Sequence, residues 1–368
     1  MSLRGDNTML KKALLASAIA ASLPMSAMAV GPIDGKIYGK MNVTAVNASY
    51  DENTVGFEEE DSWNLNSNAS RIGVKGKAEL SEGFYAIYKA EFEIYVDDGD
   101  SGSSKDNDTF EQRNIYVGLS GNYGTVFAGK HDTVLKLSQA KVDLFGDLEG
   151  GDIKNWMSGE TRSSNIINYT TPSMNGFSAS LMTVLGEDSD DDNEQDGLLD
   201  SYSAGVTYKA GDLYLAVARD ENVKSGSVEK DNLDITRLVA SYSFGDLTLG
   251  AVVQTAEDGD NYETNITNVT DLSYDEDSYT LSAKYKTGDF TWKLQYGQGE
   301  YEVKDGGAVE DEAETEALVF GVDYKLAKKT KVYAYYSTID TEYDFESGAA
   351  STLEEDEVVY GIGMEHKF

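Results

Sequence analysis

The residues best placed to do chemistry lie between Asp132 and Ser163, in DTVLKLSQAKVDLFGDLEGGDIKNWMSGETRS. Asp143, Asp147, Glu149 and Asp152 are spaced along it, with Gly146, Gly150 and Gly151 between them. Carboxylates at such intervals can move a proton, hold a cation, or set the sign of a passage that they line. Proton transfer lacks its usual companions: the only histidines are His131 and His366, there is no cysteine, and no G-x-S-x-G context occurs. The second acidic run, residues 187–194, lacks the sixth-position glycine and the spaced glutamate of a helical calcium loop, and reads as a solvated connection. No catalytic group, metal site or cofactor is expected. What remains is fixed charge in a narrow passage.

The elements that must position those carboxylates are legible from period. Either side of residues 132–163 the chain alternates apolar and polar positions, as half-buried strands do, and within it the alternation stops. A connection of about thirty residues is long against the usual four to six, and one that long is functional or disordered. The rest of the chain therefore reads as a wall around this loop.

Composition narrows what the wall can be. The 368 residues carry a formal charge of −36, with no cysteine and only three prolines. Such a surface repels nucleic acid and anionic lipid, and disulfides do not hold the fold together. Residues 1–29 read as an export leader, with the start at Met9, Lys11 and Lys12 ahead of ALLASAIAASL, and cleavage after Ala27-Met28-Ala29, before Val30. No later apolar run is long enough for a membrane helix.

Segments at 35–50, 69–80, 84–96, 111–120 and 124–131 precede the loop. Those at 164–171, 177–186, 200–209, 212–220, 233–244, 246–256, 277–287, 289–299, 314–326, 330–340 and 357–368 follow it. Sixteen strands is an even number, and a barrel of that size leaves an aqueous lumen. Tight turns, such as Ala210-Gly211, alternate with long acidic connections at 51–62, 97–108, 187–198, 257–274 and 304–312. That asymmetry predicts an all-β, transmembrane antiparallel barrel with short periplasmic turns and long outer loops. Phe368 closes the last strand, where a free terminus would fray, and a closed barrel gives it a partner in the first strand. Tyr88, Tyr285, Tyr324 and Tyr360 fall on outward faces, as an aromatic girdle requires.

Four blocks carry a resemblance: RIGVKGKAELSEGFYAIYKAEFEI (71–94), NIYVGLSGNYGTVFAGK (114–130), INYTTPSMNGFSASL (167–181) and the terminal YGIGMEHKF (360–368). In this order they resemble the Gram-negative general porins, across essentially the whole chain after the leader. The resemblance implies a homotrimer of 16-stranded barrels in the outer membrane, among its lipids and lipopolysaccharide. It implies a third outer loop folded inward, at residues 132–163, although the proline common at that loop's tip is missing from DLFGDLEGG. It also implies a basic wall facing the loop's carboxylates, which by matching blocks would be Lys40, Arg71, Arg113, Lys130 and Arg162. Alternation supports an inward Lys40 and Arg71, whereas Arg113 falls in parity with Ile115, Val117 and Leu119.

The expected function is a water-filled channel for passive diffusion of ions and small hydrophilic solutes, mildly cation-preferring because of its acidic outer loops. The alternative is a substrate-specific uptake channel with a binding site in the lumen.

Overall fold

The computed structural model describes residues 33–53, 60–97, 110–186, 197–224, 232–259, 272–305, 308–345 and 352–368. The leader, its Ala29–Val30 junction and the acidic run at 187–194 lie outside the described residues. The strand segments are β1 (Ile33–Glu52), β2 (Glu60–Ser67), β3 (Arg71–Ser81), β4 (Phe84–Ile94), β5 (Phe110–Gly121) and β6 (Gly124–Asp132) before the loop. After it come β7 (Arg162–Thr170), β8 (Phe177–Val184), β9 (Tyr202–Ala210), β10 (Leu213–Lys224), β11 (Asn232–Phe244) and β12 (Leu247–Asp258). The last five are β13 (Leu272–Thr287), β14 (Phe290–Asp305), β15 (Ala308–Ala327), β16 (Thr330–Phe345) and β17 (Thr352–Lys367). The described helices are a five-residue α1 (Val134–Ser138) and a 3-10 turn (Ile153–Asn155), both inside the loop.

Consecutive strands pair antiparallel, except that β2 and β3 both pair with β1 and not with each other, and β1 also pairs with β17, which closes the sheet on itself. Closure satisfies each backbone group within the wall, which a spanning sheet needs because lipid offers no partner. Both β2 and β3 pair with β1 and are one barrel strand broken at residues 68–70, giving sixteen strands. Ala69 takes a left-handed φ of 47° at the break, while Asn68 N donates to Asn42 O (2.8 Å) and ties the kink to β1. At the seam Phe368 N donates to Gly39 O (3.1 Å), and Gly39 N donates to Phe368 O (3.4 Å). The Phe368 ring lies over Gly39, where any Cβ would stand 2.2 Å from it.

The strands run further outward than alternation predicts. Residues 304–312, expected as a long loop, are mostly ladder, with Glu302 opposite Glu312 and only residues 306 and 307 between β14 and β15. Both faces of the sheet are polar there, so the two-residue hydrophobic period vanishes although the backbone pairing continues.

The core lies between loop and wall. On β15, Leu318 is 49 % exposed on the outer face while the adjacent Val319 is fully buried on the inner one. Val319 packs in one cluster with Val239, Val252 and Val359 of the wall and Val142, Phe145, Leu148, Ile153, Trp156 and Met157 of the loop. Strands β11, β12 and β15–β17 are therefore apolar on both faces over part of their length, one towards lipid and one towards the loop, whereas β13 and β14 meet the loop through Thr280, Lys293 and Gln295. This burial, at about 25 cal/mol per Å² of apolar surface, holds the loop inside the barrel.

Candidate functional site

The loop enters the barrel at α1, whose first turn is capped by Thr133: its Oγ1 accepts from Lys136 N (3.1 Å). Leu135 packs against Ala218, Leu233 and Ile235, and Leu135 N donates to Ser203 Oγ (3.1 Å). The chain then crosses to the far wall, where Leu144 N donates to Gln295 Oε1 (2.8 Å). Lys293 Nζ donates to Leu144 O (3.2 Å) and sits 4.3 Å from the centre of the Phe145 ring. On the return, Gln295 Nε2 donates to Gly151 O (3.1 Å) and Ser337 donates to Gly150 O. The Trp156 indole packs against Gly297 and its backbone carbonyl against Gly299, and its Nε1 donates to Thr280 Oγ1 (2.9 Å). Fully buried Arg237 donates to Ser158 O and Glu160 Oε1, both at 2.9 Å.

Held this way, the loop leaves a slit of about 580 Å³ between itself and the wall formed by β2–β5 and β7. From the loop, Lys136, Asp143, Asp147, Asp152 and Lys154 line it; from the wall, Glu93, Arg113 and Arg162. The tip closes one end. Asp147 Oδ2 lies 3.0 Å from Lys40 Nζ and 3.1 Å from Arg71 Nη2, so the loop tip is ion-paired to β1 and β3. Burial raises the Asp147 pKa, but Lys40 and Arg71 outweigh it and hold the carboxyl below its ordinary value. Asp143 shows the opposite balance: burial, then the neighbouring Asp152, push its pKa well up.

The wall carries its own carboxylates. Glu91 lies 3.3 Å from Lys89, 3.5 Å from Arg113 and 3.9 Å from Arg71. Arg113 is also paired to Glu93, and Arg162 Nη2 stands 2.9 Å from Asp132 Oδ1. Each of these wall bases thus has an acid within contact, and the slit is close to charge-compensated.

A family model described as Gram-negative porin matches residues 13–344. The chain belongs to the Gram-negative porin family. Among its relatives is the major outer membrane protein P.IB of Neisseria meningitidis serogroup B, 25 % identical over 372 residues and covering 98 % of this chain and all of that one. Outer membrane porin protein 32 of Delftia acidovorans is 27 % identical over 344 residues, 88 % of each chain. Among solved structures, an anion-selective porin from Comamonas acidovorans aligns with a TM-score of 0.68 at 22 % identity, covering 92 % of this chain and all of that one. A trimer form of OmpT from Vibrio cholerae aligns with a TM-score of 0.60 at 19 % identity, covering 91 % and 99 %. The protein is an outer-membrane porin, and its family is one of channels.

Within this porin the residues singled out by sequence divide into groups. Asp147 meets Lys40 and Arg71 directly. Arg113 and Arg162 face the slit, Arg113 against its simple parity: between the Ala90–Ile115 and Phe92–Gln112 pairs, one residue of β4 opposes two of β5. That bulge turns Arg113 and Asn114 to the same side, as the extra residue of a bulge allows. Asp143 and Asp152 border the slit but spend their oxygens on the loop itself. Asp143 accepts from Phe145 N (3.0 Å), and Asp152 accepts from Asp147 N (2.9 Å) and Lys154 N (3.1 Å). Glu149 turns away from the slit and accepts from Asn66 on β2. Lys130 does not join the basic wall: it pairs with Ile115, on the face that carries the 65 % exposed Val117.

Sequence reading missed Glu91, Glu93 and Asp132 as slit residues and Arg237 as the loop's anchor. Lys89, Glu91 and Glu93 alternate along β4, but nothing local distinguishes carboxylates that meet arginines from those that meet water.

Proposed function

We propose that the slit is the constriction of a water-filled channel through which ions and small hydrophilic solutes diffuse passively. The observation that carries this reading is the pairing of every wall base with a carboxylate around an open, polar gap. Compensated charge lets ions of both signs through, and the polar lining substitutes for part of their hydration. Selectivity is then left to the mouths. Acidic residues crowd the long-connection end, and fixed charge acts on ions within about 8–10 Å at moderate salt, which favours a mild cation preference. The anion-selective porin from Comamonas acidovorans shares the fold, so the sign must come from this chain's own charges.

The working protein in this reading is a homotrimer in the outer membrane, in contact with its lipids and lipopolysaccharide, as trimer-form relatives of the fold support. Residues 1–29 are the leader, removed between Ala29 and Val30. Planar-bilayer recording of the purified protein tests the reading. Stepwise conductance that small sugars do not saturate supports a general channel; saturable block by one solute would favour the substrate-specific alternative, and no conductance would overturn both.

A further inference from the structure

Glu149 turns away from the slit and meets a second set of inward carboxylates. On β1, β16 and β17 the loop's seat fixes which positions face inward: Val46, Tyr335, Ile339 and Val359 are buried in one cluster with the loop. The register runs unbroken from there towards the long-connection end, so Tyr50, Glu52, Tyr343, Glu355 and Glu357 keep the same inward face. Gly150 of the loop rests on Ser337 and Val359. One rung further out, Ile339, Glu357 and Tyr50 stand side by side, and on the next rung Thr341, Glu355 and Glu52. The charge of Glu149 acts on Glu357 and on Tyr335, which places it beside this patch.

The patch has no internal compensation. Glu52 and Glu355 are directly opposite across the β1–β17 ladder, where like charges cost stability. Lys40 on β1 and Lys367 on β17 pair elsewhere, with Asp147 and Glu365. Among the described residues no base pairs with Glu52, Glu149, Glu355 or Glu357. Tyrosine rings stand between these carboxylates instead. Tyr343 donates to Glu355 from β16 (3.3 Å), and Tyr50 bonds the same carboxylate from β1. The Tyr335 ring lies over Gly361, where any Cβ would stand 2.7 Å from it, and the residue is only 5 % exposed. Its hydroxyl nevertheless has no hydrogen-bond partner among the described residues, and it stands within reach of the Glu149 and Glu357 charges.

This chemistry selects an organic cation over a metal ion. A metal ion needs several oxygens converging on one point, and the described carboxylates that converge in a set of three are Glu300, Glu302 and Glu312, outside this patch. Here the carboxylates are spread over two rungs, about 6.6 Å apart along the strands. That spacing suits a chain carrying two charges. The hydroxyls of Tyr50 and Tyr343 are spent on Glu355, so their rings have faces left to offer, and a ring face attracts an ammonium group.

We propose that the inner wall of β16, β17 and β1, on the long-connection side of the loop, is a binding site for aliphatic ammonium dications. The inference rests on the channel reading given above. A bound dication offsets the opposed carboxylates and occupies the approach to the slit, so it reduces the current carried by smaller ions.

The test is the potassium current of the purified full-length protein in a planar bilayer, with hexamethylene diammonium added to both chambers. The expected result is a saturable block in 0.1 M KCl that weakens in 1 M KCl as charges are screened. Tetramethylene and octamethylene diammonium should block too, because the site reads a class of cation and not one solute. Magnesium, with the same charge, and hexanediol, with the same chain, should each require about fivefold more or fail to block. Glu355→Gln with Glu357→Gln should raise the half-blocking concentration about tenfold while the channel still conducts potassium. Tyr343→Leu should raise it about threefold, whereas Tyr343→Phe, which keeps the ring, should not. Absence of block, block confined to one chain length, equal block by magnesium or hexanediol, or block unchanged in the double glutamine variant overturns the proposal. Absence of any conductance would overturn the channel reading beneath it, and the two failures are distinct.

Discussion

Asp147 at the loop tip and Lys40 on the first strand, 107 residues apart in sequence, are joined by a 3.0 Å ion pair. The pair fixes where the loop ends and how wide the passage beside it can be. Asp147 sits there with a left-handed φ of 70°, a conformation that a non-glycine residue holds only when its surroundings insist on it. The carboxylate also accepts from Arg71, so one acidic group faces two bases at the loop tip.

Asp147→Asn should shift permeability towards anions at pH 7, because Lys40 and Arg71 lose their counter-charge. The folded-state pKa of Asp147 lies below its ordinary 3.8. Its ion pairs therefore stabilise the loop tip at all pH above that value and are lost only as pH falls through the lower folded one. Reversal potentials stepped from neutral to acid pH should keep wild type and variant apart until below 3.8. Convergence of the two already at about pH 5 would contradict the assignment.

Arg237→Ala should be among the most damaging single changes. It leaves Glu160 with the neutral Gln139 Nε2 at 3.1 Å and Lys136 at 3.8 Å, and strips Ser158 O of a buried donor. Removing one partner of a buried pair costs about 3–5 kcal/mol. Urea unfolding in detergent, read by the mobility of heated and unheated protein, should show the loss, and Arg237→Met with Glu160→Gln should recover part of it.

Gly297→Val tests the loop's seat independently of charge. A Cβ there would stand 2.1 Å from the Trp156 indole. Overpacking of this kind costs about 1–3 kcal/mol, and the displaced loop should give a larger or noisier single-channel conductance. Conductance and stability equal to wild type would mean that Trp156 does not anchor the loop.

The register separates two bases that matching blocks had grouped. Arg113→Gln should change ion selectivity, leaving Glu91 and Glu93 under-compensated, whereas Lys130→Gln should leave selectivity unchanged. The measurement is the same reversal potential for both variants; equal shifts would place Lys130 in the passage after all.

Much of this architecture was legible from period two alone. Alternation on β3, β4 and β17 showed which residues face lipid, and the lapse of alternation after Asp132 marked the loop. Bulges hid the rest. One extra residue in β5 reverses the parity of Arg113, and the break at residues 68–70, where Ala69 O accepts from Arg71 Nε (2.9 Å), divides one barrel strand into β2 and β3. Neither shift leaves a trace in a two-residue pattern. The loop's packing partners did leave a trace: LGAVVQTA (249–256) and EALVFGV (316–322) are apolar on consecutive positions, as strands covered on both faces are. The upper parts of β14 and β15, polar on both faces, were hidden for the converse reason.

The most direct test of the account is the zero-current potential of the wild-type protein across a KCl gradient at neutral pH and low salt. A compensated slit beneath an acidic outer mouth predicts a small potential of cation-selective sign, diminishing as total salt rises. A potential of anion-selective sign, or a large cation-selective one that salt does not diminish, would contradict it.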